Sequence, residues 1–119
     1  MATPNIVNVA TINAVNAAAA ITTSRAAAID VAADKVAKVN TILVCNIDGT
    51  NSATVTIEVS IDNGSNFVAI GSTIAVPADA TLSFLENPIY LDETDLLAFT
   101  ASAANDLTYF ISYETLNDA

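Results

Sequence analysis

Histidine is absent from all 119 residues, tryptophan is absent too, and cysteine occurs once. Without histidine there is no Ser-His-Asp or Cys-His nucleophile pair and no histidine-ligated metal site. A single cysteine, Cys45, leaves no intrachain disulfide, so the stapled framework of a small secreted domain is excluded. Cys45 lies in the apolar run TILVCNI and is expected to pack as a small, inert hydrophobe, since a reactive thiolate wants a base or cation beside it. The three glycines, Gly49, Gly64 and Gly71, stand apart from one another, so there is no glycine-rich phosphate loop. Aromatics make up only 6% of the chain, and Phe84, Tyr109 and Tyr113 fall on or beside apolar faces, which leaves little for a carbohydrate platform.

Positive charge is equally scarce. Arg25, Lys35 and Lys38 stand against thirteen acids, for a net charge of −10. Such a chain has nothing with which to displace the counterions of a phosphate backbone, so neither nucleic acid nor an anionic membrane is an expected partner. Acidity of this size favours solubility and repels like-charged neighbours. At 53% hydrophobic and 13% charged residues the chain is built to fold, and its length is that of one domain. The N-terminal MATPNIVNVATINAVNAAAAI has no basic segment, and asparagines interrupt each apolar stretch. Neither a signal peptide nor a membrane-spanning helix is expected, and synthesis in a cytoplasm without export follows as an expectation.

Catalytic chemistry finds no foothold. Asp92, Glu93 and Asp95, and Asp48 with Asn51, offer oxygen atoms but lack the spacing of an EF-hand loop; they read as solvated acidic loops. Two carboxylates across a cleft would suffice for glycoside hydrolysis, yet a chain this short has little room for the cleft. No catalytic residue, cofactor or metal is expected.

What the chain does contain is strand. Residues 53 to 61, ATVTIEVSI, alternate so that Ala53, Val55, Ile57, Val59 and Ile61 face one way and Thr54, Thr56, Glu58 and Ser60 the other. The β-branched run from Val39 to Ile47 precedes it, and the Asp48-Gly49 turn between them reads as a hairpin connection. Asp62-Asn63-Gly64 is a second such turn and leads into a strand from about Phe67 to Val76, with a bulge or kink at Gly71. Pro77 then breaks the pattern, TLSFLE gives a short strand, and Pro88 introduces the IYLDETD segment before another strand from Leu96 to Ala103. LTYFISYE closes the series, with Leu107, Tyr109, Ile111 and Tyr113 on one face and Phe110 among the polar positions of the other. Phe110 belongs either to a second cluster, under a loop or the N-terminal arm, or to a contact with a neighbouring subunit. AAAIDVA is a further short strand, while Asn5 to Val15 fits extended chain no better than a loose helix. Short strands at spacings of about ten residues define an all-β antiparallel sandwich, immunoglobulin-like or jelly-roll, over residues 26–119, with an extended N-terminal arm over 1–25.

Two phrases carry a resemblance. VAADKVAKVNTILVCNIDGTNSATVTIEVSI, and the later VPADATLSFLENPIYLDETDLLAFTASAANDLTYFISYE, are similar to sequences of small virion structural proteins of tailed bacteriophages. The match runs from about Ile29 to Glu114, some seven-tenths of the chain. The resemblance implies a β-sandwich of the capsid decoration, or cement, type on the capsid exterior, binding the major capsid protein at subunit seams and, as a homo-oligomer, itself, with dimer and trimer both open. A neck or tail component is its alternative, and a non-viral glycan-binding or adhesin-like module lies outside it. Candidate contact residues are Ile6, Val9, Ile12 and Val15 on the arm, Asn63 and Asp92 in loops, and Phe110.

Overall fold

The computed structural model describes residues 9–118 and, among them, nine β-strands and no helix. These are β1 (Val9–Ala20), β2 (Ala26–Asp30), β3 (Lys35–Asn46), β4 (Ala53–Ser60), β5 (Val68–Val76), β6 (Thr81–Ser83), β7 (Ile89–Leu91), β8 (Leu96–Ala101) and β9 (Leu107–Asp118). The undecided N-terminal run is thus strand over residues 9 to 20. Ala17–Ala20 prefer helix by well under ~1 kcal/mol per residue, and the antiparallel ladder that β9 offers from Thr108 to Asp118 outweighs that preference. Of the arm expected over 1–25, this part is therefore an edge strand of the sandwich itself.

Two sheets form, one in the order β1-β9-β3-β6 with β7 also paired to β3, the other in the order β2-β8-β4-β5. The pairings nest: β4 with β5, β3 with β6 and β7, β2 with β8, β1 with β9. One long antiparallel ribbon folded over on itself gives that nesting, with β6 and β7 as two halves of an interrupted strand. This is jelly-roll order. An immunoglobulin sandwich sets its first strand beside its second, whereas β1 lies beside the last strand.

The expected hairpin between residues 39–47 and 53–61 does not form. β3 and β4 belong to different sheets, and Asp48–Ser52 carries the chain across the sandwich. Gly49 does not adopt positive φ; Asp48 Oδ1 holds the loop instead, accepting the N–H of Thr50 at 2.8 Å and of Asn51 at 3.4 Å. Asn63 and Gly64 do take left-handed backbone, at φ 58° and 86°, and close the β4–β5 hairpin with Ser65 N–H donating to Asp62 C=O at 3.3 Å. The alternation of β4 ends one residue early. Ile61, expected on the buried face, is 77% exposed in the bend after Ser60. Ser60, expected outside, is buried, its hydroxyl donating to Asp62 Oδ1 and accepting Gly64 N–H.

The core lies between the sheets. Val55 and Ile57 of β4 and Leu97 and Phe99 of β8 cluster with Val39, Ile42 and Val44 of β3 and Leu107 and Ile111 of β9. Each such side chain contributes roughly 1.5–3 kcal/mol by leaving water. Phe99 stacks on Tyr109 from the opposite sheet, centroids 4.7 Å apart and planes within 10°. β3 keeps both Val39 and Ile42 inside because its register slips between Val39 and Thr41. Asn40 takes the extra position, donating from Nδ2 to Glu114 Oε1 at 3.3 Å. Asn46, buried at the end of β3, donates from Nδ2 to Val76 C=O at 2.9 Å and Asn51 C=O at 3.0 Å and accepts Asp48 N–H at 2.9 Å.

Candidate protein interface

Jelly-roll connectivity sends the β2–β3, β4–β5 and β7–β8 connections to one end. Asp30 and Ser60 both pair with Leu96, and Asp34 N–H donates to Glu93 Oε2 at 2.8 Å. Asn63 and Asp92, far apart in sequence, therefore share that end with Asp30, Asp34, Asp62, Glu93 and Asp95. Asn63 is exposed at its turn; Asp92 is half-buried and committed to its own turn, accepting Glu93 N–H and donating its N–H to Asp95 Oδ2. Glu93 and Asp95 are buried, contrary to the expected solvated loop, because their carboxylates serve as acceptors for backbone N–H groups of the turns. Burial pushes the Asp95 carboxyl above its ordinary pKa. The side-chain amide and backbone N–H of Asn66, with the Ser60 hydroxyl, hold Asp62 below its own. Among the described residues no three acids or cysteines come together as a metal site.

One flank of the sandwich is open. β6 and β7 are three residues each, and the Phe84–Pro88 stretch between them makes no strand. The sheet edge therefore fails to close over the core opposite β5. A cavity of about 340 Å³ results, walled by Ile57 and Ile70 from one sheet, by Ile89 from the other and by Phe84 and Leu85 of the stretch between β6 and β7, with Asp95 its one carboxylate. Ile61, Val68, Ile70 and Tyr90 stand exposed along this flank. FVAIGSTIAV is apolar at both parities, which suits a strand with no polar face to present.

The other flank is bordered by β1. Val9 and Val15 are half-buried and Ile12 is 60% exposed; Ile6 lies outside the described residues. Phe110 points away from the core, 39% exposed, between Ala18 of β1 and Leu43 of β3 in the ladder. Cys45 is two residues along from Leu43 on the same outer face. It is half-buried rather than a core residue, because Val44 beside it takes the inward position. With Ala18, Leu43 and Phe110 it lines a shallow groove.

No protein-family model matches the chain, and no curated protein matches it. Among solved structures, a subunit of Bacillus endospore appendages, described as a novel family of disulfide-linked pili, superposes with TM-score 0.53 at 15% identity over 92% of this chain and 88% of its own. The Drosophila NLP core, whose structure was described for pentamer formation and histone binding, superposes with TM-score 0.52 at 14% identity over 83% of this chain and 96% of its own. The likeness is one of fold. At such identity the two share the β-sandwich and nothing about residues of function.

Proposed function

We propose that this chain is a non-catalytic structural subunit that works by binding protein surfaces, as a decoration protein on the exterior of a phage capsid, seated on the major capsid protein. The observation that carries this reading is the open flank between β5 and the β6–β7 edge. An acidic chain keeps Ile61, Val68, Ile70 and Tyr90 in solvent beside an apolar cavity, and a clustered apolar surface of that kind favours a partner. Repetition on a symmetric shell multiplies a modest contact into firm attachment. Both solved relatives by fold are described as assembling proteins, one into pili and one into a pentamer. Disulfide-linked polymerisation does not carry over, because a subunit joined to two neighbours needs two cysteines and this sequence has Cys45 alone. The capsid setting rests on the phage resemblance of the two sequence phrases.

Quantitative mass spectrometry of purified particles from the source tests it. A ratio to the major capsid protein of one, or of a simple fraction of one, supports decoration. A copy number matching a single ring moves the chain to the neck or tail, and its absence from particles ends the virion reading.

A further inference from the structure

Among the described residues four strand edges border the sandwich, and three carry features that discourage another strand from adding to them. β2 has five residues, follows Arg25, ends in Asp30 and slips register between Ala27 and Ile29. β6 and β7 have three residues each, with Glu86 and Pro88 between them. β5 slips register twice against β4 and holds Thr73 in left-handed backbone at φ 45°. β1 has one slip, between Val9 and Thr11 at its very start, and none of the other protections. It runs for twelve residues without charge, proline or glycine, and its register with β9 is unbroken from Thr11 to Ala20. On a molecule of net charge −10, a long uncharged edge is where a second copy meets least repulsion.

We infer that β1 pairs antiparallel with β1 of a second copy about a two-fold axis, with Val15 opposite Val15, joining two β1-β9-β3 sheets into one. The register follows from the outer face. Ala18 lies opposite Phe110, so Ile12, Ala14, Asn16 and Ala18 share Phe110's face. With Val15 on the axis, Ile12 of the second copy falls opposite Ala18. The second copy's Ile12, then Ala18, Phe110 and Leu43 make one apolar row across the joined sheet, the small Ala18 leaving room for the large groups on either side. Sliding the pairing by two residues sets Ile12 opposite Asn16 or Ala20, whose neighbours on β9 are Ser112 and Thr108. Only the chosen register of these three lets the exposed Ile12 and Phe110 cover one another, and it does so twice by symmetry. An isologous contact of this kind closes at two copies and builds no filament.

Sedimentation of the purified full-length chain tests the pairing without any particle. The expected mass is twice the 12.2 kDa of one chain. Ala18→Glu and Ile12→Lys, both at exposed positions, are expected to sediment as monomers with unchanged circular dichroism. For the register, Val15→Cys in a Cys45→Ser background is expected to oxidise to a covalent dimer, since opposed residues lie about 4.5–5.5 Å apart at Cα, within reach of a disulfide. Ala17→Cys in that background is expected to stay uncrosslinked, its two copies being about 13 Å apart along the strands. A monomeric wild type, or folded Ala18→Glu and Ile12→Lys chains that remain dimeric, overturns the pairing. A dimer that crosslinks at residue 17 or at neither position overturns the register.

Discussion

The Arg25 guanidinium reaches from the connection before β2 across β8 to Glu58 on β4, Nε to Oε1 at 2.9 Å and Nη2 to Oε2 at 3.1 Å, and stands 4.2 Å from the Phe67 ring centroid. The hydrogen bonds to Glu58 raise the Arg25 pKa further above its already high value. One side chain thereby ties the beginning of β2, the middle of β4 and the approach to β5. An exposed pair gains little in water, but bidentate geometry and the ring beneath it add to that little. Arg25→Met, which keeps an apolar stem over Phe67, is expected to lower the melting temperature by a few degrees at low salt and by less at high salt, where exposed charges are screened. Thermal melts by circular dichroism at the two salt concentrations check this. A loss that ignores salt would assign Arg25's contribution to packing on Phe67.

Asn46 makes a different bond set, buried and uncharged, joining the end of β3 to the loop that follows it and to the end of β5. Asn46→Leu leaves the carbonyls of Val76 and Asn51 and the N–H of Asp48 without their partner. The expected cost is on the order of 2–3 kcal/mol, the scale of leaving buried polar groups unsatisfied. Urea denaturation measures it. Asn46→Asp keeps the shape but turns a carboxylate toward two carbonyl oxygens, so it is expected to be worse than leucine at neutral pH, its deficit against wild type narrowing as the carboxyl protonates.

Asp95 and Asp62 respond to pH in opposite senses. Burial raises the Asp95 pKa above 3.8, so the folded state holds that proton more tightly than the unfolded chain does. Its contribution is fully present below the ordinary carboxylate value and is lost as pH rises through the folded one. Asp95→Asn still accepts the Asp92 N–H and carries no charge. It is expected to melt higher than wild type at neutral pH, the advantage disappearing in acid. Asp62 is lowered by Asn66 and Ser60, so its contribution is present above 3.8 and is lost as pH falls through the folded value. Asp62→Asn is expected to melt lower at neutral pH and to converge on wild type in acid. Melting curves across pH for the three proteins decide both signs.

The parts of this fold legible in the sequence are those set by neighbours a few residues apart. Alternation located β4, and Asn63-Gly64 located its hairpin with β5, because both depend on local backbone chemistry. Sheet membership does not. Asp48-Gly49 has the same turn residues as Asp62-Asn63-Gly64, yet one crosses between sheets and the other closes a hairpin, a difference fixed by β8 and β9 arriving from later in the chain. The phase of β3 was hidden by the extra residue at Asn40, which moves the inward set from Ala37 and Val39 to Ile42 and Val44 and leaves Cys45 outside. Of the interface candidates, Phe110 was visible as an apolar residue at a polar parity. The open flank was not, since nothing in FVAIGSTIAV or TLSFLE says that the edges they form fail to meet.

Ile61 and Phe99 are both large apolar residues, and they separate binding from folding. Phe99 is buried between the sheets against Tyr109, so Phe99→Ala removes packed volume the surroundings cannot refill, at an expected cost of about 3–5 kcal/mol. For a domain whose whole stability is of the order of 5–15 kcal/mol, that is enough to show in any unfolding curve. Ile61 is 77% exposed beside the cavity. Ile61→Asp is therefore expected to shift stability by no more than about 0.5 kcal/mol while placing a charge where the proposed partner must dry the surface. Urea curves for the two variants give the stability terms, and recovery of Ile61→Asp with particles, measured against the major capsid protein, gives the binding term. A folded Ile61→Asp chain that loads particles as well as wild type would remove this flank from the contact and leave the rest of the surface to carry it.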